Sequence, residues 1–335
     1  RITKITEAVL QPTLATATIE NASYKVYLDA DSTLTLLDKI SGALLTQALA
    51  IESTSDAGDS YNFSPPPQTN TVRQARFSWQ SSLITDQIQR TRLCILLPED
   101  ALFKDPFSDS AFAWDTRPVR YARIPEAISR QEMPIAVEPT HSAIVAGKVY
   151  FCHRALQEYE IQKSSRGMVL AVTMVRSVGW MSRRDLITRG VGTGPDIATP
   201  EAQCLGTEVF EFEVGTVPKD AVAATFALNR AQYLRRPLAQ LRGYADCWQE
   251  ALQIDNVALQ ISSLRRVGEH IELRLWNPLP TREQVALTCA AGLNFAPVYA
   301  DRRPFLEAAI SSNTFVLCPF GMLTLRAALP RFTQS

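Results

Sequence analysis

The sequence predicts an all-β fold: two β-sandwiches joined by a short helical connector. Three observations support this prediction. Period-two alternation of apolar and polar residues dominates the chain, and the helical signal is confined to one stretch. The composition, 46% hydrophobic and 20% charged, is that of a globular protein.

The first predicted element is a hairpin near the N-terminus. Residues 24–28 alternate, with Tyr24, Val26 and Leu28 on one face. Residues 29–32 supply turn-forming aspartates and serine, and the alternation resumes at Leu34. Two alternating runs around a short polar turn are typical of antiparallel strands.

Later strands follow two patterns. Alternating runs at residues 210–214, 271–275 and 285–289 indicate strands with one wet and one dry face. Residues 168–175 are apolar almost throughout, which predicts a strand that is buried on both faces.

The helical signal lies between Pro218 and Pro237, where an alanine-rich stretch places Val222, Phe226 and Tyr233 at helical spacing. We therefore predict a large β-sandwich over residues 1–215, a helical connector over 216–250 and a smaller β-sandwich over 251–335.

Composition excludes several classes of protein. The 34 Lys and Arg residues balance the 34 Asp and Glu residues, so nucleic acid is not an expected partner. No apolar run reaches the roughly 18 residues of a membrane span. The six scattered cysteines lack metal-binding spacing and are expected to be mostly buried thiols, which predicts a cytoplasmic location.

The residue inventory predicts no active site, metal site or cofactor within this chain. The three histidines, His141, His153 and His270, have no second ligand at metal-binding spacing. Nucleophile-elbow and phosphate-binding motifs are missing, and the glycine-rich residues 190–194 run into Pro195 with no helix signal. A sugar-converting enzyme that uses a His and a Glu stays an open alternative.

One segment, residues 56–67, exceeds what a turn requires. It combines acids, including Asp59, with the phenol of Tyr61, the amide of Asn62 and a triple proline. Sugar hydroxyls need paired donors and acceptors of this kind. A capped surface loop is the alternative.

A second such segment, residues 176–195, carries Arg176, Arg183, Arg184 and Arg189 among glycines and Trp180. Planar guanidinium groups there could hold hydroxyls or a carboxylate in a neighbouring cleft. A solvated connection between strands is the alternative.

These segments resemble family 38 glycoside hydrolases, particularly the bacterial α-mannosidase and mannosylglycerate-hydrolase-like branch. Residues 56–65 are similar to a D-x-G-D-x-Y-N-[YF]-S-P motif, and Gln157 replaces the proline of an L-P-E-Y-E element. The further matches occur in chain order at residues 34–39, 176–189, 199–206 (T-P-E-A-Q-C-L-G) and 273–278.

The resemblance implies a three-part enzyme in which this chain is the C-terminal β-rich portion. Its larger sandwich would be a galactose-mutarotase-like supersandwich. The zinc ligands, the nucleophilic aspartate and the acid/base carboxylate would belong to the missing N-terminal parts. The expected partners are therefore the N-terminal catalytic and helical domains of the same polypeptide and a mannose-containing carbohydrate.

The resemblance also implies that this portion lends a tyrosine and an arginine to the sugar-binding cleft. By motif these are Tyr61 and Arg189, with Asp59 and Asn62 beside the tyrosine; Arg183 and Arg184 compete for the arginine role. We expect both loops on one side of the larger sandwich, with Tyr61 and Arg189 partly exposed and lacking partners.

Two other functions stay open at this point. A freestanding carbohydrate-binding module would expose an aromatic platform, for which Trp114, Trp180 and Trp276 are the candidates. A mutarotase-like enzyme would place His141 or His153 in a cleft with a carboxylate.

Overall fold

A computed structural model describes residues 18–30, 33–40, 42, 44–65, 71–72, 89–98, 105–119, 127–204, 208–235, 252–289, 292–305 and 313–329. Some predicted features lie outside these residues. They are residues 31–32 of the hairpin turn, 66–67 of the proline run, 205–206 of one motif, and 236–250 of the connector.

Strands dominate the described residues. In chain order they are β1 (Thr18–Glu20), β2 (Tyr24–Leu28), β3 (Leu34–Asp38), β4 (Leu44–Ser55), β5 (Thr71–Val72), β6 (Gln89–Leu96), β7 (Phe107–Ser110), β8 (Ala113–Thr116), β9 (Val137–Pro139), β10 (Ala143–Ala146), β11 (Val149–His153), β12 (Glu158–Ser164), β13 (Gly167–Ser177), β14 (Phe212–Thr216), β15 (Leu252–Ile254), β16 (Gln260–Val267), β17 (His270–Trp276), β18 (Glu283–Cys289), β19 (Ala296–Val298), β20 (Thr314–Leu317) and β21 (Met322–Ala328).

Helix is scarce in the described part of the chain, where α1 (Ala223–Arg235) and a 3₁₀ turn (Pro200–Gln203) are the helical elements. α1 lies in the stretch for which a helix was predicted. No helix among the described residues is long and apolar enough to cross a membrane. The antiparallel sheets, and the presence of one α-helix in the part of the chain that the structure describes, confirm the predicted all-β class.

The chain divides into two compact units. The first comprises Arg1–Pro106, Arg117–His141 and Ala155–Glu213, and the second comprises Phe107–Thr116, Ser142–Arg154 and Val214–Ser335. The units therefore interleave along the chain. The domain boundaries after residues 215 and 250 stay a prediction.

A nine-stranded sheet forms the first unit, in the order β1-β2-β3-β4-β6-β13-β12-β9 with β5 beside β4. The predicted hairpin is β2 and β3, which pair antiparallel from Tyr24 with Asp38 to Leu28 with Leu34. The apolar strand β13 lies inside the sheet, and Leu170 is fully buried. Burial of β13 on both faces thereby explains why its sequence is nearly continuously apolar.

The sheet brings two loops to one edge. β4 and β13 both pair antiparallel with β6, so they run in the same direction. Their last residues, Ser55 and Ser177, are both register partners of Gln89. At roughly 4.8 Å per strand spacing, the two strands end roughly 10 Å apart. The loops that follow them must therefore leave the sheet side by side.

The second unit contains a five-stranded sheet, β14-β11-β10-β7-β8, covered by α1. The helix buries Ala227 and Ala231 against β10 and β11, where small side chains allow close approach. β14 runs from Phe212 to Thr216 and so begins two residues after the predicted start.

The rest of the second unit is a small sandwich of the sheets β15-β18-β20 and β16-β17-β21-β19. Alternate residues of the facing strands share one core, including Leu273, Val285, Phe315 and Leu325. Each fully buried side chain of this kind contributes about 1.5–3 kcal/mol. The predicted strands at residues 271–275 and 285–289 are thereby confirmed as β17 and β18.

The cysteines differ from the prediction. The described ones are free thiols, and Cys152 is buried, but Cys204 and Cys318 are exposed. Cys94 and Cys289 are partly buried, so the expectation of mostly buried thiols is wrong for the described cysteines; the two exposed ones each directly follow the last residue of an element. Cys247 lies outside the described residues.

Candidate functional site

The first loop, residues 56–65, is closed at its base by Asp56. Its buried Oδ1 accepts hydrogen bonds from the N–H groups of Gly58 at 2.7 Å and Ser64 at 3.4 Å. A Cβ at Gly58 would lie 2.2 Å from the carbonyl oxygen of Asn62. The tight turn of the loop therefore requires glycine at this position.

An ion pair ties this loop to the end of β13. Nε of Arg176 donates to Oδ2 of Asp56 at 2.7 Å, and Nη2 donates to the carbonyl oxygen of Asp59 at 3.2 Å. Asp56 is 2% exposed. A carboxylate that is buried to this degree depends on its cationic partner far more than a surface carboxylate does.

Asp59 connects the first loop to the second segment, residues 176–195. Oδ1 accepts from the N–H groups of Tyr61 at 3.1 Å and Asn62 at 3.4 Å. Oδ2 accepts from the backbone N–H of Arg183 at 2.8 Å and pairs with Nη2 of Arg189. Asp59 is fully buried, so all of its hydrogen-bonding capacity is directed at the protein.

Arg189 lies beneath the tyrosine. Its Cζ is 6.0 Å from the centroid of the Tyr61 ring, and the residue is 2% exposed. The expectation that Arg189 is partly exposed and lacks a partner is wrong, because its guanidinium pairs with buried Asp59. Nε and Nη1 have no hydrogen-bond partner among the described residues.

Tyr61 is 51% exposed, as expected. Its ring lies against Gly194, where a Cβ would approach the phenol oxygen to 2.6 Å. The hydroxyl of buried Ser182 fixes this backbone by accepting from the N–H groups of Thr193 at 3.1 Å and Gly194 at 3.2 Å. The glycine-rich stretch therefore provides the backbone surface against which the phenol ring packs.

Asn62 faces a third segment, residues 127–136. Its Nδ2 donates to Oε1 of exposed Glu132 at 2.7 Å, whereas Oδ1 has no hydrogen-bond partner among the described residues. The N–H of Met133 donates to the carbonyl oxygen of Thr188 at 2.9 Å. Three segments thus meet around Tyr61 and Arg189.

The competing arginines are held by their own neighbours. Arg183 donates Nε and Nη2 to Asp185 at 2.8 and 2.6 Å, and Arg184 donates Nε to Asp196 at 2.8 Å. The hydrogen bond from Arg183 lowers the pKa of Asp185, and the same bond raises the pKa of Arg183. Of Arg183, Arg184 and Arg189, the three candidates for the cleft, Arg189 is the one whose side chain pairs with Asp59.

A buried charged cluster supports the first loop. Arg92 pairs with Glu52, and its Nη1 donates to Oε2 of Glu160 at 2.8 Å. The Arg90 guanidinium carbon lies 3.5 Å from the Phe63 ring centroid. Burial, followed by the nearby Arg92 charge, lowers the pKa of Arg90 to about 10. Arg90 is therefore still a cation at neutral pH beneath the loop.

The sequence-predicted residues are brought together by these loops: Asp59, Tyr61, Asn62 and Arg189. Their contact with a sugar stays a prediction. Sequence reasoning assigned no role to Asp56 or Arg176, although two acids in one loop and several arginines in another signal ion pairs between them.

The alternatives have less support at their candidate residues. His153 is fully buried and stacks on Phe151 with ring centroids 5.8 Å apart. Trp276 is 8% exposed and donates its indole N–H to the carbonyl oxygen of Phe112 at 3.0 Å. Trp180, 42% exposed, is the candidate tryptophan that a carbohydrate could reach most readily.

Chemically, the site can present a phenol that both donates and accepts hydrogen bonds. Asp56 and Asp59 are engaged with arginines and are not available as a general acid or base. Within the described ranges no group of three or more His, Cys, Asp or Glu residues could hold a metal ion. The zinc that the resemblance implies thus has no ligand set in the described part of this chain.

Comparison with known proteins places this all-β fold in a context. No family model and no curated protein sequence matches the chain. Among solved structures, the chain is similar to an α-mannosidase from Enterococcus faecalis V583, with a TM-score of 0.64 and 18% identity, over 96% of this chain and 43% of that one. It is also similar to a protein in the glycosyl hydrolase family 38 from Enterococcus faecalis, with a TM-score of 0.63 and 18% identity, over 96% of this chain and 45% of that one.

At this identity the likeness shows the fold. It lies in the C-terminal part of those chains, and it confirms at the level of the fold the resemblance to family 38 glycoside hydrolases. The chain spans less than half the length of the solved structures that it matches.

Proposed function

We propose that this chain is the non-catalytic C-terminal β portion of an α-mannosidase-like retaining glycoside hydrolase. The observation that supports the proposal is the share of each chain over which the structural likeness extends. The likeness includes 96% of this chain but 43% and 45% of the two longer chains. The N-terminal catalytic and helical domains would then be partners within one polypeptide.

Retaining hydrolysis needs two carboxylates about 5–5.5 Å apart, one as nucleophile and one as acid/base. Zinc, when bound, would hold and polarise sugar hydroxyls. In this proposal both carboxylates and the zinc ligands belong to the catalytic domain. This chain supports that domain and completes the edge of its cleft.

Within the proposal, Tyr61 is the residue that contacts a mannose hydroxyl. Its phenol is half-exposed and seated on Gly194, so it is presented in a defined direction. Arg189 and Asp59 lie buried behind it and hold its loop, and Asn62 lies beside it. Roles in direct sugar contact for Asp59, Asn62 and Arg189 stay predictions that would require the buried groups to become accessible.

The test is Tyr61→Phe in the longer enzyme, measured as kcat/KM on an aryl α-mannoside. Loss of a hydroxyl contact that strengthens in the transition state costs about 1–3 kcal/mol, or roughly a 5- to 150-fold decrease. The melting temperature should stay unchanged, because the phenol is exposed. Gly194→Ala should act in the same direction, since the added methyl displaces the phenol.

A matched control is Tyr299→Phe. Tyr299 is 47% exposed and has the Arg303 Cζ 5.6 Å from its ring centroid, so it resembles Tyr61 in exposure and charge environment. Equal kcat/KM values for Tyr61→Phe, Tyr299→Phe and the unmodified enzyme would contradict the role of Tyr61.

A freestanding carbohydrate-binding module is a second candidate, favoured by the adjacent exposed aromatics Trp180 and Tyr61. The N–H of Ser60 donates to the carbonyl oxygen of Trp180 at 3.2 Å, which places the two aromatics on neighbouring loops. Titration of the 335-residue chain with a mannose oligosaccharide tests this function, which predicts binding that Trp180→Ala abolishes.

A further inference from the structure

The outer face of the four-stranded sheet in the second unit is rich in arginine. Strands β16, β17, β19 and β21 contain several arginines, whereas Glu272 is the one acidic residue in them. Leu273 and Leu325 point into the core between the two sheets of the small sandwich. Because side chains alternate along a strand, their neighbours Glu272, Arg274 and Arg326 lie on the opposite, outer face. The proposed function assigns no role to this face.

Strand register places these side chains next to one another. Arg265 on β16 and Arg326 on β21 are both direct register partners of Glu272 on β17. Arg274 lies two residues beyond Glu272 on the same strand, and its own partner on β21 is Thr324. Side chains that are opposite in register share a face, and diagonal neighbours such as Arg274 and Arg326 lie about 7–8 Å apart, within reach of long side chains. Three arginines therefore surround one carboxylate on a single face of the sheet.

A fourth arginine reaches the same carboxylate from the loop after β19. Nε of Arg302 donates to Oε1 of Glu272 at 2.7 Å. β21 lies between β19 and β17 in the sheet, so Arg302 has to extend over β21 to make this bond. Its guanidinium therefore lies on the outer face, near the strand that carries Arg326. The residues Arg265, Arg274, Arg302 and Arg326 are here called the arginine cluster.

The backbone of Arg302 adopts a strained conformation that fixes its position. Its φ is 71°, in the left-handed region that residues other than glycine rarely adopt. The N–H of Arg302 donates to the carbonyl oxygen of Tyr299 at 2.8 Å, and the N–H of Tyr299 donates to the carbonyl oxygen of Arg303 at 2.8 Å. Strained residues persist where the surrounding structure holds them, and they cluster at functional sites. The strain at Arg302 therefore favours a functional role for its guanidinium.

The carboxylate of Glu272 is fully engaged by two members of the arginine cluster. Oε2 accepts from Nε and Nη2 of Arg265 at 3.1 and 2.9 Å, and Oε1 accepts from Nε of Arg302. Glu272 is 2% exposed beneath them, whereas the side chains of Arg265 and Arg302 are 51% and 46% exposed. Nη1 and Nη2 of Arg302 make no hydrogen bond to a described residue. These two groups can therefore donate to a ligand.

Arg274 and Arg326 are half-buried and have no carboxylate partner within the residues that the structure describes. Nε of Arg274 donates to the neutral hydroxyl of Thr324 at 3.0 Å. Nη2 of Arg326 donates to Nδ1 of His270 at 3.2 Å, and its buried Nε has no hydrogen-bond partner in the described ranges. The four guanidinium groups of the arginine cluster thus face one carboxylate, which leaves an excess of three positive charges. Like charges that are partly removed from water repel each other, so a bound anion would stabilise this face.

We propose that Arg274, Arg302 and Arg326 bind a doubly charged tetrahedral oxyanion of the phosphate type. A dianion matches the excess of positive charge more closely than a monocarboxylate does, and guanidinium groups bind phosphate oxygens through paired N–H groups. The phosphate group belongs either to inorganic phosphate or to a phosphate ester, and two arms of the experiment separate these sources. The site does not depend on the proposed function, because it uses none of the residues around Tyr61.

The test is isothermal titration calorimetry of the 335-residue chain with inorganic phosphate, at an ionic strength held constant with chloride. The unmodified chain should bind phosphate with a dissociation constant of about 1 mM or lower. The double variant Arg274→Gln with Arg326→Gln should raise this constant roughly tenfold or more, because it removes charge-assisted hydrogen bonds to the anion. Phosphate should also raise the melting temperature of the unmodified chain but not that of the double variant.

Two further variants control for charge and for folding. Arg266→Gln removes an arginine from the same sheet, but the register partner of Arg266 is Ile271, which faces the core, so Arg266 lies on the other side of the sheet. This variant should bind phosphate like the unmodified chain. The variant Arg274→Lys with Arg326→Lys keeps both charges and should keep the melting temperature in phosphate-free buffer, yet it should bind phosphate more weakly, because lysine lacks the planar fork of donors.

The outcomes decide the proposal and the source of the phosphate group. No phosphate binding by the unmodified chain, unchanged binding by the Arg274→Gln with Arg326→Gln variant, or equal weakening by Arg266→Gln would overturn the site. Acetate bound as tightly as phosphate would overturn the preference for a dianion. Glucose 6-phosphate bound more tightly than inorganic phosphate would support the site with an ester as its ligand, whereas equal affinities would support recognition of the phosphate group by itself.

Discussion

At the scale of single residues, the carboxylate of Asp59 holds four groups from two loops. It accepts three backbone N–H groups and pairs with Arg189, and neither partner of this pair is more than 2% exposed. Removing one partner of a buried ion pair leaves an uncompensated charge in a low-dielectric environment. Asp59 therefore acts on Tyr61 by positioning it.

Asp59→Asn should lower the free energy of unfolding by about 3–5 kcal/mol, because the neutral amide leaves the buried Arg189 cation unpaired. Urea denaturation of the 335-residue chain measures this loss. Asp185→Asn is the control: its side chain is 63% exposed, and its pair with Arg183 should contribute less than about 1 kcal/mol. Similar losses for both variants would contradict the assigned role of Asp59.

The residue scale is also where sequence reasoning was least complete. The resemblance predicted the loops of Tyr61 and Arg189 on one side of the sandwich, but its prediction of a partly exposed Arg189 without a partner is wrong. Whether Arg189 is buried depends on which carboxylate lies opposite, and Asp59 is 130 residues away in sequence. Arg189→Lys is consequently expected to lower stability as well as any activity, since a lysine cannot reproduce the planar guanidinium.

At the scale of elements, period-two alternation predicted strands well. The sequence of a strand by itself indicates which face is buried, because side chains alternate between the two faces. The strands β2, β3, β17 and β18 could therefore be located from local pattern. The pairing partners of the strands could not be predicted in this way, because β4 and β13 pair with β6 from distant parts of the chain.

Glu272 is the exception within β17. The alternation predicts it on a wet face, yet the residue is 2% exposed. Arg265, its register partner on β16, and Arg302 cover it with hydrogen bonds of 2.9 and 2.7 Å. Burial favours the neutral acid, but the bonds from the two arginines outweigh it and lower the pKa of Glu272.

This shift predicts acid sensitivity of the small sandwich. Below the ordinary value of 4.5 the unfolded chain takes up a proton at Glu272 before the folded protein does. The contribution of Glu272 to stability is therefore present above that pH and is lost as pH falls through the lowered folded pKa. Urea denaturation at a series of pH values should show the difference between the unmodified chain and Glu272→Gln shrinking over that range.

The arginines provide the control for this prediction. Replacing Arg265 and Arg302 by glutamine removes the cations that lower the pKa, so the loss of stability in acid that Glu272 causes should shrink or disappear. An unchanged pH dependence in that double variant would show that the two arginines do not set the pKa of Glu272.

At the scale of the whole molecule, the compact units interleave. Phe107–Thr116 and Ser142–Arg154 group with the C-terminal part of the chain, because sheets pair strands regardless of their separation in sequence. The boundaries predicted along the chain, after residues 215 and 250, stay a prediction. The grouping of chain segments into compact units depends on which strands pair, and it cannot be read from their order in the sequence.

The isolated chain should not hydrolyse an aryl α-mannoside, with or without added zinc. The physical reason is the state of its carboxylates: in the candidate site Asp56 and Asp59 are both committed to arginines. Turnover on the order of one per second, a typical enzyme rate, would contradict this prediction. Under the proposed function, the longer enzyme would serve as the positive control in the same assay.

The sequence by itself determined the all-β class, the position of the helix and the loop that carries Tyr61. Each of these depends on residues that are close in sequence, through alternation, helical spacing or a compact motif. The tertiary structure alone decided that Arg189 is buried and that Asp56 and Asp59, through their pairs with Arg176 and Arg189, anchor the loop that carries Tyr61. Those properties arise where β4 and β13 end side by side, and such long-range pairing leaves no local pattern in the sequence.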